Sequence, residues 1–115
     1  MKLPGGDTAV IPPGKLIGYS LMIDHPRGGG DKARVFRAAL GLGPENAEVL
    51  EGAFLKAARE GEAVLLERTE YGDVYYIDFV LEFRGRSAEV RSGWIVPADG
   101  SATRLTTCFV NGKAP

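Results

Sequence analysis

His25-Pro26-Arg27-Gly28-Gly29-Gly30-Asp31-Lys32-Ala33-Arg34 gathers one histidine, three cations and three consecutive glycines into one short stretch. Glycines let the backbone approach a ligand closely, and free N–H groups at a helix start attract anions. Arg27, Gly28, Lys32 and Arg34 are therefore candidate phosphate-binding residues. Lys32 and Arg34 fall in the expected first helical turn, where cations are unfavourable by roughly 0.3–1 kcal/mol each. A local rule broken without an obvious gain points to function. The plainer alternative is a solvated basic turn whose charge Asp31 offsets. His25 is the sole histidine, and imidazole alone has an unperturbed pKa suited to proton transfer near neutrality. A lone histidine in a loop serves equally well as a surface residue.

Two further charges interrupt apolar strands: Asp78 within Val74–Phe83, and Arg91 within Ser87–Val96. Facing each other across a ladder they would form a cross-strand ion pair. The functional alternative makes Arg91 a planar, permanently charged phosphate clamp, with Asp78 orienting either it or His25. Thr106, on the polar face of the last strand, could offer its hydroxyl to a phosphate oxygen or be an ordinary strand residue. Tyr76 and Trp94 could stack a base, though packing is the simpler use of both. No second histidine exists to activate Cys108 as a nucleophile, so it reads as a small strand residue.

The elements that must position these groups can be read from periodicity. Thr8–Ile11 suggests a short strand, and Lys15–Leu21 a helical turn or an extended arm. Pro26 drives His25 toward extended backbone. Asp31 suits the N-cap of a helix over 31–41, with Val35, Phe36, Ala39 and Leu40 on one face and Gly41 and Gly43 stopping it. Pro44 opens a second helix running to about Glu60, with Ala47, Leu50, Phe54, Ala57 and Ala58 as its apolar stripe and Gly61 as its cap. Strands follow at Ala63–Thr69, Val74–Phe83, Ser87–Val96 and Thr103–Val110. In the second, Tyr75, Ile77, Phe79, Leu81 and Phe83 share a face; in the last, Leu105, Thr107 and Phe109 oppose Arg104, Thr106 and Cys108. The expected fold is α+β: two N-terminal helices packed on one face of a roughly four-stranded antiparallel β-meander. Asp78, Arg91 and Thr106 would lie on its other face.

The chain's 115 residues suit a single domain, and 44% hydrophobic residues supply one core without metal or disulfide staples. One cysteine allows no intrachain disulfide, and no Cys/His spacing suggests zinc. Met1-Lys2-Leu3-Pro4-Gly5-Gly6 lacks the apolar run of a signal peptide, so the expected location is the cytoplasm, with no membrane partner. A net charge of −1 counts against broad coating of nucleic acid, so any phosphate contact must come from a local patch. Walker, GxGxxG, HExxH and GxSxG motifs are missing, and no acids have metal-site spacing. No cofactor is implied.

Segments along nearly the whole chain resemble an uncharacterised bacterial family, domain of unknown function 6883. They are Lys15-Leu16 with Tyr19-Ser20-Leu21, His25-Pro26-Arg27-Gly28 with Lys32-Ala33-Arg34-Val35-Phe36, and Ala39-Leu40-Gly41-Leu42. Tyr71-Gly72 with Asp78-Phe79, Val90-Arg91-Ser92 with Trp94-Ile95-Val96, and Arg104 to Val110 complete the set. More loosely, a loop of the pattern His-Pro-x-Gly…Lys-Ala-x-x-Phe, two helices and a meander ending in a threonine-rich strand resemble nuclease domains of bacterial polymorphic toxins, the barnase/EndoU/colicin/RelE-like group. That resemblance implies metal-independent RNA cleavage and a cognate antitoxin or immunity protein. It implies a site of His25, Lys32, Arg91 and Thr106, with Asp78 beside them. This chain departs from the pattern in the extra glycines between Pro26 and Lys32 and in its slightly acidic charge. The expected function is a metal-independent endoribonuclease of toxin type. His25 would transfer the proton, Lys32 and Arg91 would stabilise the phosphorane-like transition state, Thr106 would orient a phosphate oxygen, and Asp78 or Lys32 would be the second proton-transfer group. The alternative is a non-catalytic binding module, antitoxin-like or scaffold, that uses the same polar cleft.

Overall fold

A computed structural model describes residues 1–12, 37 and 39–113. Its frame is a four-stranded antiparallel sheet in sequential order: β1 (Ala63–Thr69), β2 (Gly72–Phe83), β3 (Arg86–Pro97) and β4 (Arg104–Lys113). Short turns between consecutive strands make this the simplest topology for such a sequence. The β2–β3 turn is a two-residue loop in which Arg84 (φ 50°) and Gly85 (φ 84°) are both left-handed. That is the turn whose twist matches a hairpin.

Where two N-terminal helices were expected, the described residues contain one complete α-helix, α1 (Ala47–Glu60), preceded by a 3-10 turn at Pro44–Asn46. The first helical turn of the 44–60 segment is thus wound more tightly than the sequence suggested. The expected helix at 31–41 lies largely outside the described residues. Within it Arg37, Ala39 and Leu40 are helical, and Gly41 ends the turn at φ 74° with its N–H bonded to the Arg37 carbonyl at 2.8 Å. The Lys15–Leu21 segment is also outside the described residues. Thr8–Ile11 is not a strand: Gly6–Thr8 forms a 3-10 turn, and Val10 alone makes a parallel bridge to Arg104.

The core lies between the inner sheet face, α1 and the N-terminal segment. Leu50, Phe54, Ala57 and Ala58 of α1 are buried, as are Tyr75, Ile77 and Leu81 of β2, Ala88, Val90 and Trp94 of β3, and Leu105 and Cys108 of β4. Phe79 is half-buried and packs edge-on against Phe54, ring centroids 5.5 Å apart. Such aromatic pairs add about 0.5–1.5 kcal/mol beyond the area they bury. Two glycines set how closely the layers approach. Gly61 caps α1 with ordinary backbone (φ −77°), so it is there for space: a Cβ would sit 2.7 Å from Ile77 Cγ2. At Gly6 a Cβ would lie 2.0 Å from the Ala58 carbonyl oxygen, which lets the N-terminal segment ride directly on α1 and bury Leu3.

The face assignment of β4 needs correction. The register runs Trp94↔Leu105 and then Gly93↔Thr107, so Thr106 is an extra residue at a bulge. Alternation restarts beyond it. Cys108 turns into the core opposite Ser92, and Phe109 lies opposite Arg91 on the outer face, the reverse of the expected sides. A one-residue slip moves every following side chain to the other face.

Candidate functional site

Asp78 and Arg91 are direct register partners on β2 and β3. The flanking Ile77/Ser92 and Phe79/Val90 pairs bury their side chains inward, which places Asp78 and Arg91 on the outer face. The guanidinium grips the carboxylate with both prongs: Nε donates to Oδ1 at 2.8 Å and Nη2 to Oδ2 at 2.9 Å. With side chains 33% and 27% exposed, the pair lies in a half-wet setting. Ion pairs there contribute about 0–1 kcal/mol, so orientation matters more than stability. The Asp78 hydrogen bond raises the Arg91 pKa above its ordinary value, against desolvation, and Arg91 is charged at every accessible pH.

Tyr76, two residues before Asp78, lies under the same guanidinium, its ring centroid 4.1 Å from Cζ. Cation–π stacking of this kind adds about 0.5–1 kcal/mol at exposed sites. Arg91 is therefore held by a carboxylate along one edge and a ring on one plane, while its Nη1 makes no hydrogen bond to a described residue. Both carboxylate oxygens of Asp78 accept from Arg91, so of the two residues it was expected to orient, Asp78 holds Arg91.

Gly93, the next outward position along β3, faces the β4 bulge. A Cβ there would come within 2.8 Å of Thr107 Cγ2 and 3.2 Å of Thr106 Oγ1. The bare glycine lets both threonine side chains settle over the outer face, along the row that also carries Arg91. Asp78, Arg91, Tyr76 and Thr106 thus share one face. His25, Arg27, Gly28, Lys32 and Arg34 lie outside the described residues. The sequence offered Tyr76 as a packing residue or a base-stacking candidate, and did not show its stacking on Arg91. Its signal was register: Tyr76 is diagonal to Arg91 on one face, within reach of a long side chain. Among the described residues, no group of three or more His, Cys, Asp or Glu is placed to hold a metal ion, and no helix is long and apolar enough to cross a membrane.

This sheet, with its outward arginine on β3 and threonine-rich β4, falls within a match of residues 2–112 to the model of a family described as a domain of unknown function (DUF6883). The chain belongs to that family. A comparison with curated proteins finds no match. Among solved structures, this DUF6883 protein is similar to a chain of a contact-dependent growth inhibition toxin–immunity protein complex from Klebsiella pneumoniae 342. The TM-score is 0.66 at 18% identity, covering 96% of this chain and 98% of that one. At that identity the likeness is one of fold.

Proposed function

We propose that this DUF6883 protein acts in a toxin–immunity system as a metal-independent endoribonuclease, cleaving RNA phosphodiesters by acid–base chemistry. The observation that carries the reading is the preset Arg91 guanidinium, locked by Asp78 and Tyr76 on the outer sheet face, with its Nη1 uncommitted among the described residues. A phosphoryl group approaching that edge meets a donor needing no reorganisation, which is how charge developing in a transition state is best stabilised. The Tyr76 ring offers a stacking surface beside it, and Thr106 supplies a hydroxyl over Gly93. The fold shared with the Klebsiella complex supports the setting.

In this reading His25 takes the proton from the ribose 2′-hydroxyl or returns one to the leaving 5′-oxygen. Lys32 and Arg91 stabilise the phosphorane-like charge, while Arg27, Gly28 and Arg34 hold a neighbouring phosphate. Asp78 is committed to Arg91, so Lys32 is the better candidate for the second proton transfer. A cognate immunity protein would be the protein partner.

One observation favours a second reading, a non-catalytic binding module of antitoxin or immunity type. The bidentate Asp78–Arg91 pair is also what a purely structural cross-strand contact looks like, and the complex of similar fold contains toxin and immunity proteins alike. Incubating the purified protein with total RNA in EDTA separates the two. The ribonuclease reading expects cleavage that survives chelation and falls by about 10²–10⁴-fold in His25→Ala. It also expects Arg91→Lys to be harmful, since lysine keeps the charge but loses the fork. Cleavage only on adding Mg²⁺ or Mn²⁺ would refute the chemistry. RNA or protein binding without cleavage, unchanged in His25→Ala, would favour the binding module.

A further inference from the structure

Strand β2 is longer than the neighbour that protects it. β1 pairs with β2 only from Gly72 to Ile77, where Ala63 is the last partner, whereas β2 runs on to Phe83. The two-residue turn closes the hairpin at Phe83/Arg86, and bonded pairs in an antiparallel ladder alternate from that closing pair. Phe83, Leu81, Phe79 and Ile77 therefore direct their N–H and C=O toward β3. Asp78, Val80 and Glu82 direct theirs to the opposite side, the side on which Tyr76 meets Val64 of β1. Beyond Ile77 no described strand takes up these groups.

Beside that edge runs a groove of about 420 Å³. Ala53, Ala57 and Gly61 line its α1 wall, Phe79 and Leu81 its sheet wall, and Lys56 and Glu60 stand at the rim. Natural edge strands are commonly blunted by bulges or charges. β1 carries such a bulge, at Leu66; the projecting part of β2 has no bulge, its register with β3 being unbroken, and instead sets Asp78 and Glu82 on either side of Val80, which is 49% exposed. An added strand would send alternate side chains into the groove and onto the outer face, as in strand-addition recognition.

The outer-face charges select the occupant. Among the described residues, Asp78, Glu82 and, across on β3, Glu89 stand around Val80 on the outer face, against one cation, Arg91, which Asp78 already engages. A second copy pairing antiparallel about Val80 would set Glu82 opposite Asp78, a like-charge contact that destabilises a ladder. We propose that the Asp78–Phe83 edge of β2 is a strand-addition site for an extended segment of a partner protein, alternating apolar residues for the groove with basic residues for the outer face. The site stands apart from the ribonuclease reading, since it uses the main-chain edge and the α1 groove, not the Arg91 guanidinium.

The test uses the whole protein, followed by amide NMR and hydrogen exchange, with two short capped peptides as probes: one alternating valine and lysine, one alternating valine and glutamate. In the free protein the Val80 and Glu82 amides exchange fast. The valine–lysine peptide slows them and shifts resonances of residues 78–83, while the valine–glutamate peptide does so weakly. Val80→Pro, which removes an outward N–H and spares the β3 ladder, weakens binding by about tenfold or more. Glu82→Lys, which leaves every backbone bond in place, shifts preference toward the valine–glutamate peptide. Protected Val80 and Glu82 amides in the free protein, equal affinity for both peptides, or affinity untouched by both variants would overturn the assignment. So would sedimentation as a dimer that Val80→Pro dissolves, which would make the occupant a second copy.

Discussion

Replacing Ser92 by alanine should destabilise this protein far more than the loss of one hydroxyl on a strand normally would. Ser92 Oγ donates to the Ile77 carbonyl at 3.1 Å and accepts the Trp94 indole Nε1–H at 2.9 Å, and both residues are wholly buried. The indole is a donor only, so Ser92→Ala strands it without a partner in the core, at a cost of about 1–3 kcal/mol. The lost Ser92–Ile77 bond adds about 0.5 kcal/mol, the low end for a net hydrogen bond, because the ladder still serves that carbonyl. The sum is about 1.5–3.5 kcal/mol, or a fall in Tm of roughly 6–15 °C for a domain of this size. Urea unfolding followed by far-UV circular dichroism measures it, with the slope against urea unchanged. A cycle with Trp94→Phe isolates the coupling: without the indole N–H, Ser92→Ala should cost at least about 1 kcal/mol less. A single-mutant loss below about 1 kcal/mol, or no coupling in the cycle, would refute the account of how Trp94 is accommodated.

Gly6→Ala should cost about 1–3 kcal/mol, because its Cβ would fall 2.0 Å from the Ala58 carbonyl and must push the N-terminal segment off α1; urea unfolding reads the change. Arg91→Ala should cost no more than about 2 kcal/mol, the worth at this exposure of the ion pair and the Tyr76 stacking together, so any larger fall in RNA cleavage would belong to function. Asp99 accepts from the Ser101 hydroxyl at 2.6 Å and the Ser101 amide at 2.9 Å, which lowers its pKa. A depressed folded pKa gives stability above the ordinary carboxylate range and loses it as pH falls through the folded value. Asp99→Asn should therefore be less stable than the parent at neutral pH and converge on it in acid, as paired unfolding curves at the two pH values would register.

Most of the sheet is legible in the sequence because its strands are half-buried and alternate: Tyr75, Ile77, Phe79 and Leu81 can only face the core together. Asp78 and Arg91 stand out by the same rule, as charges inside apolar runs, and their pairing follows once the two-residue turn fixes the register. The failure in β4 has a physical cause. Thr103 to Val110 contains no glycine, proline, aspartate or asparagine to interrupt a strand, so nothing in that stretch marks the bulge at Thr106, and uninterrupted alternation puts Cys108 and Phe109 on the wrong sides. The mark lies on the neighbouring strand. Gly93 is a glycine inside a strand, a residue that weakens the ladder unless a close approach requires it, and the approach is that of Thr106 and Thr107. Reading Gly93 as the partner of a bulge predicts a step of three positions, not two, from one core residue of β4 to the next, which is the step from Leu105 to Cys108. The face that carries Arg91 therefore depends on Gly93 as much as on its charges. A side chain at Gly93 would meet both threonines, and the cheapest relief is to smooth the bulge, which would return Cys108 to the surface and Phe109 to the core. Gly93→Val should accordingly make the Cys108 thiol reactive in the native state, whereas in the parent it is fully buried and should label only on unfolding. A Gly93→Val protein that stays folded with Cys108 protected would show that the bulge is set by something other than the space above Gly93.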